Sequence, residues 1–330
     1  MPIAHAYEAL TPDVVLDALS DIGLAVDGRL MVLSSYENRF YQVMLDDDQA
    51  LVAKFYRPER WSDAQILEEH AFAAELMAEE IPVVGPLVLQ GNTLHHFAGF
   101  AFSVSPRRGG RMPELDDVEV LEWVGRFIAR IHSVGQKQAF ATRPTLHLQT
   151  FAIDSRDWLL EHNMIPLDQQ ATWTSWCDKA IAIAKDVFAE HPSQLIRLHG
   201  DCHPGNILWT PTDHANGGPH FVDLDDARMG PAIQDLWMLI SGDRKQQTFQ
   251  LRVWLDGYEQ MRELNRSELA LIEPLRTLRL IHYSAWLARR QDDPAFVQHF
   301  SWFGSSDYWA GQIHMLEEQC EAMQAPALVL

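Results

Sequence analysis

Asp201 and Asn206 stand five residues apart in LHGDCHPGNILW (residues 198–209), and a second acid-bearing segment, HFVDLDDA (220–227), follows closely. Three chemistries could use such a stretch. His199, Cys202 and His203 are zinc-ligand types, but they crowd one tight loop at a spacing that matches no usual ligand set. Cys202 as a nucleophile would need a base and an orienting group, and no familiar arrangement supplies them. A loop that merely turns accounts for Gly200 and Gly205 but leaves Asp201, Asn206 and the acid-rich segment unexplained. Phosphoryl transfer uses all of them. It needs a carboxylate to orient or deprotonate the attacking hydroxyl, and hard oxygen ligands for Mg²⁺ across the phosphates.

On that reading Asp201 is the base. Asn206 matches the D-x-x-x-x-N spacing of kinase catalytic loops, and a hairpin would return Asp223 to the same cleft as catalytic residue and second metal ligand. Asp225 and Asp226 fit two roles equally, contacts to metal-bound water or plain exposed acids at a strand end. Asp235, in GPAIQDLWM, is expected to turn back and accept hydrogen bonds from the loop backbone near His199.

Such a site also needs a lysine on a third strand to reach the phosphates, and a helix glutamate to hold it. Lys54 in LVAKF (51–55) is a charge inside an apolar strand. A lysine on a solvated strand face is the competing reading, and Ala53 and Phe55 do not decide between them. Glu69 shares a helical face with Ile66, Ala73 and Leu76, whereas Glu68 lines up with Gln65 and Glu75, so Glu69 is expected to face inward. The adenine slot is expected near Phe102, Val104 and Ser105, with backbone groups making the recognition.

The positioning elements follow from pattern. Thr11-Pro12-Asp13 caps a first helix. LMVLSSYENRFYQVML and LVAKFY read as three antiparallel strands, and Ser62 with Gln65 forms a capping box ahead of a helix to about Glu80. Strands around VGPLVLQ and GFAFSVS complete a five-stranded sheet. Beyond the Pro/Gly/Arg loop PRRGGRMPE the pattern predicts helices at about 116–134, 150–162, 168–190, 231–242, 244–262, 267–291 and 306–323. Only NILWT and HFVDLD interrupt them as strands. The expected division is 1–105 for the sheet-bearing lobe and 106–330 for the helical lobe that carries the loop and the substrate site.

The chain has 330 residues and a net charge of −20. A chain this acidic is repelled by nucleic-acid backbones and anionic lipid, so neither is an expected partner. Cys177, Cys202 and Cys320 form neither a disulfide framework nor a zinc ribbon. With no secretory signal and no apolar run near membrane-spanning length, a soluble cytoplasmic protein, and a monomer, is expected.

The loop, the F-V-D strand and the G-P-A-I-Q-D-L-W helix resemble the aminoglycoside phosphotransferase/choline kinase branch of the protein-kinase-like fold. SSYENRFYQV, KFYRPERW, ILEEH, LHGDCHPGNILW and FVDLDDARMGPAIQDLWML are similar to the bacterial stress response kinase A family, across essentially the whole chain. The resemblance implies an α+β, bilobal fold and an ATP- and Mg²⁺-dependent Ser/Thr protein kinase acting on protein hydroxyls in a stress response. It also implies that Ser35 contacts ATP. The phosphate-covering loop Ser34–Arg39 departs from the protein-kinase pattern in having no glycine, so hydroxyl and backbone donors would replace a glycine clamp; Arg39 there fits a structural ion-pair role as well. Only a few residues separate Asp223 from the helix near Pro231, too few for a long activation segment. Two other readings use the same residues: a kinase of small hydroxyl compounds (aminoglycoside, choline or homoserine kinase-like) and a non-catalytic nucleotide-binding scaffold.

Overall fold

The computed structural model describes residues 6–293 and 295–328. Helix α1 (Pro12–Asp21) begins where Thr11 Oγ1 accepts from Val14 N at 3.3 Å, with Pro12 in the first turn, where no N–H is needed. Strands β1 (Val26–Leu33), β2 (Arg39–Leu45) and β3 (Ala50–Phe55) run antiparallel. Helix α2 (Asp63–Ala78) opens with the expected capping box, Ser62 N donating to Gln65 Oε1 at 3.0 Å and Gln65 N to Ser62 Oγ at 3.4 Å. Strands β4 (His95–Phe97) and β5 (Phe100–Pro106) complete a five-stranded antiparallel sheet of order β1-β2-β3-β5-β4.

The fourth strand is therefore His95–Phe97 and not VGPLVLQ. Pro82 and Pro86 bring no N–H to a ladder, so their stretch stays extended and makes scattered bonds instead. Val84 N donates to Phe221 O at 2.9 Å and Leu87 N to Val104 O at 2.7 Å.

Beyond the sheet the chain is mainly helical. It runs through α3 (Val118–Gly135), a π-helical turn at Gln149–Ile153, α4 (Asp154–Glu161) and α5 (Leu167–Glu190). Strand β6 (Ile196–Leu198), the hairpin β7 (Ile207–Thr210) and β8 (Gly218–Phe221), and β9 (Arg228–Gly230) come next. Helices α6 (Gln234–Trp237), α7 (Arg244–Tyr258), α8 (Ile272–Ala288), α9 (Phe296–His299) and α10 (Ser306–Gln324) follow. The β6–β9 pair was not anticipated, since three-residue strands carry no readable period. The helix expected over 231–242 reduces to the single turn α6, because the N–H groups on either side bond three residues back as turns, Gln234 N to Pro231 O at 3.0 Å and Leu239 N to Leu236 O at 2.9 Å, while Ile233 N is capped by Glu268 Oε2 at 3.1 Å.

Two compact units result. The first takes residues up to Glu114, Phe140–Arg143 and His203–Ala227; the second takes Leu115–Ala139, Pro144–Cys202 and the chain from Arg228 on. The first unit thus continues past residue 105 and contains the β7–β8 hairpin. In its core Val15, Ala18 and Leu19 of α1 pack with Val43, Leu51, Ala53, Phe55, Phe102 and Val104. Strand alternation then turns Val52 and Lys54 of β3 to the other face.

In the second unit α3 and α7 approach closely because each presents a glycine. A Cβ on Gly125 would overlap the Trp254 carbonyl, and one on Gly257 the Glu122 carbonyl. Gly125→Val should therefore lower stability by about 1–3 kcal/mol or more, since backbone cannot move aside as a side chain can. Denaturant unfolding measures it, and an unchanged midpoint would contradict the close approach.

Candidate functional site

Within the first unit a cavity of about 440 Å³ lies on the Lys54 face of the sheet. Met31, Leu33, Val52, Leu208 and Val222 give it an apolar lining, while Lys54, Glu69, Asn206 and Asp223 converge on it as polar groups. This is the composition of a small-molecule site: mostly apolar, with a few placed charges.

Lys54 is 8% exposed, so it is no solvated strand lysine. Its Nζ lies 3.0 Å from Asp223 Oδ1 and 2.9 Å from Asp225 Oδ1, and 4.8 Å from the Tyr56 ring centroid. Burial works against the ammonium, but Asp223, Asp225 and Glu69 more than offset it and hold its pKa well above the usual lysine value. Glu69 is the buried member of its pair, and burial raises its pKa against the pull of Lys54. Its Oε2 makes no hydrogen bond among the described residues. The ammonium is thus paired with two aspartates rather than with Glu69. Glu68 turns outward and accepts from the backbone N–H groups of Ala141, Thr142 and Arg143.

Asp225 is 2% exposed, which corrects its reading as an exposed acid. Burial would raise its pKa, but Lys54 and Arg60 pull it down to about 2. Arg60 reaches Asp225 Oδ2 at 2.7 Å, both oxygens of Asp226 at 3.0 Å, and Glu37 Oε1 at 3.5 Å. The buried Arg143 guanidinium donates to the carbonyls of Ala227, Gln65 and Asp225. Arg60 and Arg143 were not recognised from sequence, where an arginine in a loop carries no distinguishing pattern.

Asp223 itself adopts φ 58° and ψ 64°, the left-handed region. For a non-glycine residue this costs roughly 1–2 kcal/mol, strain of the kind that collects at functional positions. Asn206 ends a 3₁₀ turn (Pro204–Asn206), and its carbonyl accepts from Val222 N at 3.0 Å, joining it to the residue that follows β8 and precedes Asp223. One carboxylate and one amide oxygen suit a hard divalent cation whose remaining ligands are phosphates and water. The residues present fit Mg²⁺. Among the described residues no group of three or more His, Cys, Asp and Glu could hold a metal by themselves.

Ser34 and Ser35 line the cavity from the glycine-free loop. That loop is tethered by side chains: Arg39 Nη1 donates to Tyr36 O at 2.8 Å, Tyr7 Oη to Glu37 O at 2.9 Å, and Arg57 N to Asn38 Oδ1 at 3.1 Å. Arg39 also lies 4.4 Å from the Tyr7 ring centroid. Of the expected adenine contacts, Ser105 lines the cavity and the intervening Ser103 joins it, whereas the Phe102 and Val104 side chains belong to the core on the opposite face. The Val104 carbonyl is already bound by Leu87 N. Ser103, Tyr56, His70 and Thr93 form a hydrogen-bonded chain at 3.1, 2.7 and 2.9 Å, with burial lowering the His70 pKa to about 3 and keeping it neutral.

In the second unit, Asp235 accepts from His199 N and Gly200 N, both at 2.8 Å, and from this buried position fixes the turn before Asp201, as expected. Burial raises the Asp235 pKa, but His132 and the loop N–H groups bring it below the ordinary value. His132 lies 3.2 Å from Asp235 Oδ2 and 2.9 Å from Tyr258 Oη. Gly200 sits at φ +85°, which a side chain rarely adopts. Asp201 receives Arg279 Nη1 on Oδ1 at 2.7 Å. Cys202 is fully buried, and burial lifts its thiol well above the usual range, so it supplies no thiolate. In the first unit His203 Nδ1 accepts from Gly205 N at 3.0 Å, a turn-forming role.

Residues 30–271 match the phosphotransferase enzyme family. The chain is 46% identical over 327 residues to stress response kinase A of Escherichia coli O157:H7, covering 99% of this chain and 98% of that protein. It is 43% identical over the same length, with the same coverage, to the serine/threonine protein kinase RdoA of Salmonella typhimurium. Among solved structures, an amicoumacin kinase bound to AMP-PNP, Ca²⁺ and amicoumacin superposes with a TM-score of 0.71 at 19% identity, covering 94% of this chain and 93% of that one. A microcompartment-associated aminopropanol kinase gives 0.70 at 18%, covering 94% and 97%. The α+β architecture is thus that of the aminoglycoside phosphotransferase and choline kinase group, and the chain belongs to the phosphotransferase enzyme family as a kinase of the stress response kinase A type.

Proposed function

We propose that this kinase transfers the γ-phosphoryl group of ATP to serine and threonine hydroxyls of proteins, with Mg²⁺, as part of a stress response. The observation that carries the phosphoryl-transfer chemistry is the convergence of Lys54, Asn206 and Asp223 on one cavity, with Asp223 in a strained backbone conformation. The protein acceptor is supported by the similarity to a serine/threonine protein kinase.

Asn206 and Asp223 would hold Mg²⁺, which neutralises phosphate charge when bound. Lys54 presents its ammonium to the phosphates, and Ser35 presents its hydroxyl. Ser103 and Ser105 with the apolar lining receive the base. Asp201 orients the acceptor hydroxyl and takes its proton as the new P–O bond forms and the bond to the ADP oxygen breaks. Among the described residues no helix is long and apolar enough to cross a membrane. Three buried, unbridged cysteines suit the cytoplasm, where we place the activity.

A second reading, transfer to a small hydroxyl compound, is favoured by the structural neighbours, an amicoumacin kinase and an aminopropanol kinase. ATP carrying labelled γ-phosphate, supplied with Mg²⁺ to generic proteins and to a panel of small alcohols, separates the two. Label is expected on protein; label confined to the small alcohols would overturn the protein reading.

A further inference from the structure

Arg279 lies on α8, and its contact with Asp201 is an ion pair partly open to solvent, the arginine side chain being 39% and the aspartate 21% exposed. One turn earlier, Arg276 directs its charge elsewhere, to Glu273 at 3.0 Å and over the Trp237 ring at 5.6 Å. A guanidinium carries five N–H donors in a planar fork. Asp201 takes one from Nη1, and the Nε and Nη2 donors of Arg279 make no hydrogen bond among the described residues. A cation therefore stands against the proposed base with donors to spare, on a surface accessible to solvent.

We propose that Arg279 is a specificity-determining residue of the acceptor side: it orients the Asp201 carboxylate, and it selects acceptors whose hydroxyl lies beside an anionic group over acceptors that carry an ammonium there. The inference rests on the reading of Asp201 as base and refines what that base serves. A planar fork matches a carboxylate or phosphate through charge-assisted hydrogen bonds, whereas an ammonium brought to the same place meets a like charge. It would also compete with Arg279 for the carboxylate. An amino alcohol suits such a site poorly, so one side chain, Arg279, turns it away from cationic acceptors.

The test compares wild type, Arg279→Gln and Arg279→Lys on two matched pairs: seryl peptides flanked by Glu or by Lys, and 3-hydroxypropionate against 3-aminopropanol. In wild type the anionic member of each pair that reacts is expected to lead by roughly tenfold or more in kcat/KM. Arg279→Gln should lower kcat on every acceptor, leave the KM for ATP unchanged and bring the ratio near one. Arg279→Lys, which keeps the charge, should keep the preference; a purely structural role would not sort the variants by charge. A wild-type preference for the ammonium member, or an undiminished ratio in Arg279→Gln, overturns the inference. Peptides phosphorylated without charge preference remove the inference and leave the protein-kinase reading standing. Transfer to 3-hydroxypropionate alone does the reverse, and transfer to none of the four overturns both.

Discussion

Asp201→Asn is expected to lower kcat by roughly 10²–10⁴-fold while ATP affinity and thermal midpoint stay near wild type. The substituted amide keeps the size and planarity of the carboxylate but cannot take up a proton from the acceptor hydroxyl. Folding should be spared because the turn before residue 201 is held by Asp235, whose carboxylate accepts from His199 N and Gly200 N. Arg279 loses a partner, but it is partly exposed and water can take the place of the lost bond. Steady-state kinetics with a phosphorylatable acceptor, nucleotide titration and a melting curve together make the measurement. A kcat within threefold of wild type would remove Asp201 from the role of base.

The second large effect concerns stability. Lys54→Met should destabilise the first unit by about 3–5 kcal/mol, because it leaves buried charge without compensation. Asp225 is 2% exposed and Glu69 6%, and both feel the ammonium. In wild type the Asp225 pKa near 2 lies below the ordinary carboxylate value, so its contribution is present above about pH 4 and is lost as pH falls toward 2. Glu69, raised by burial, acts with the opposite sign: its contribution is present in acid and lost as pH rises through its folded value. Removing the ammonium raises both groups, so the variant's deficit should shrink between pH 8 and pH 5 as they take up protons. Urea unfolding at the two pH values tests this, and a deficit below about 1 kcal/mol, or one indifferent to pH, would mean that Arg60 and Arg143 suffice for the cluster.

Much of this was legible in the sequence where a residue type and a short-range period reinforce each other. The Ser62/Gln65 box, the choice of Glu69 over Glu68 as the buried acid, and the turn of Asp235 back to the loop backbone all depend on local geometry, which spacing encodes. The partner of Lys54 did not follow, because it depends on how far α2 stands from β3 compared with the Asp223–Asp226 segment, a tertiary distance. Arg279 was invisible for the same reason, since 78 residues separate it from Asp201. Strand β4 was expected at VGPLVLQ (84–90) because its apolar and β-branched residues outweighed Pro86 within it and Pro82 before it, neither of which can donate.

The first unit is drawn from three separate stretches of chain, ending at Ala227. A ribosome that has just delivered Glu114 has made all five strands of the sheet, yet Val84 still lacks the Phe221 carbonyl and Pro82 the Phe221 amide. At about 5–20 residues per second, the hairpin that satisfies them follows only after roughly 6–20 s. During that interval the nascent chain exposes an unpaired extended segment beside an open cavity. Its need for a chaperone should therefore be greatest before any of the second unit's later helices exists.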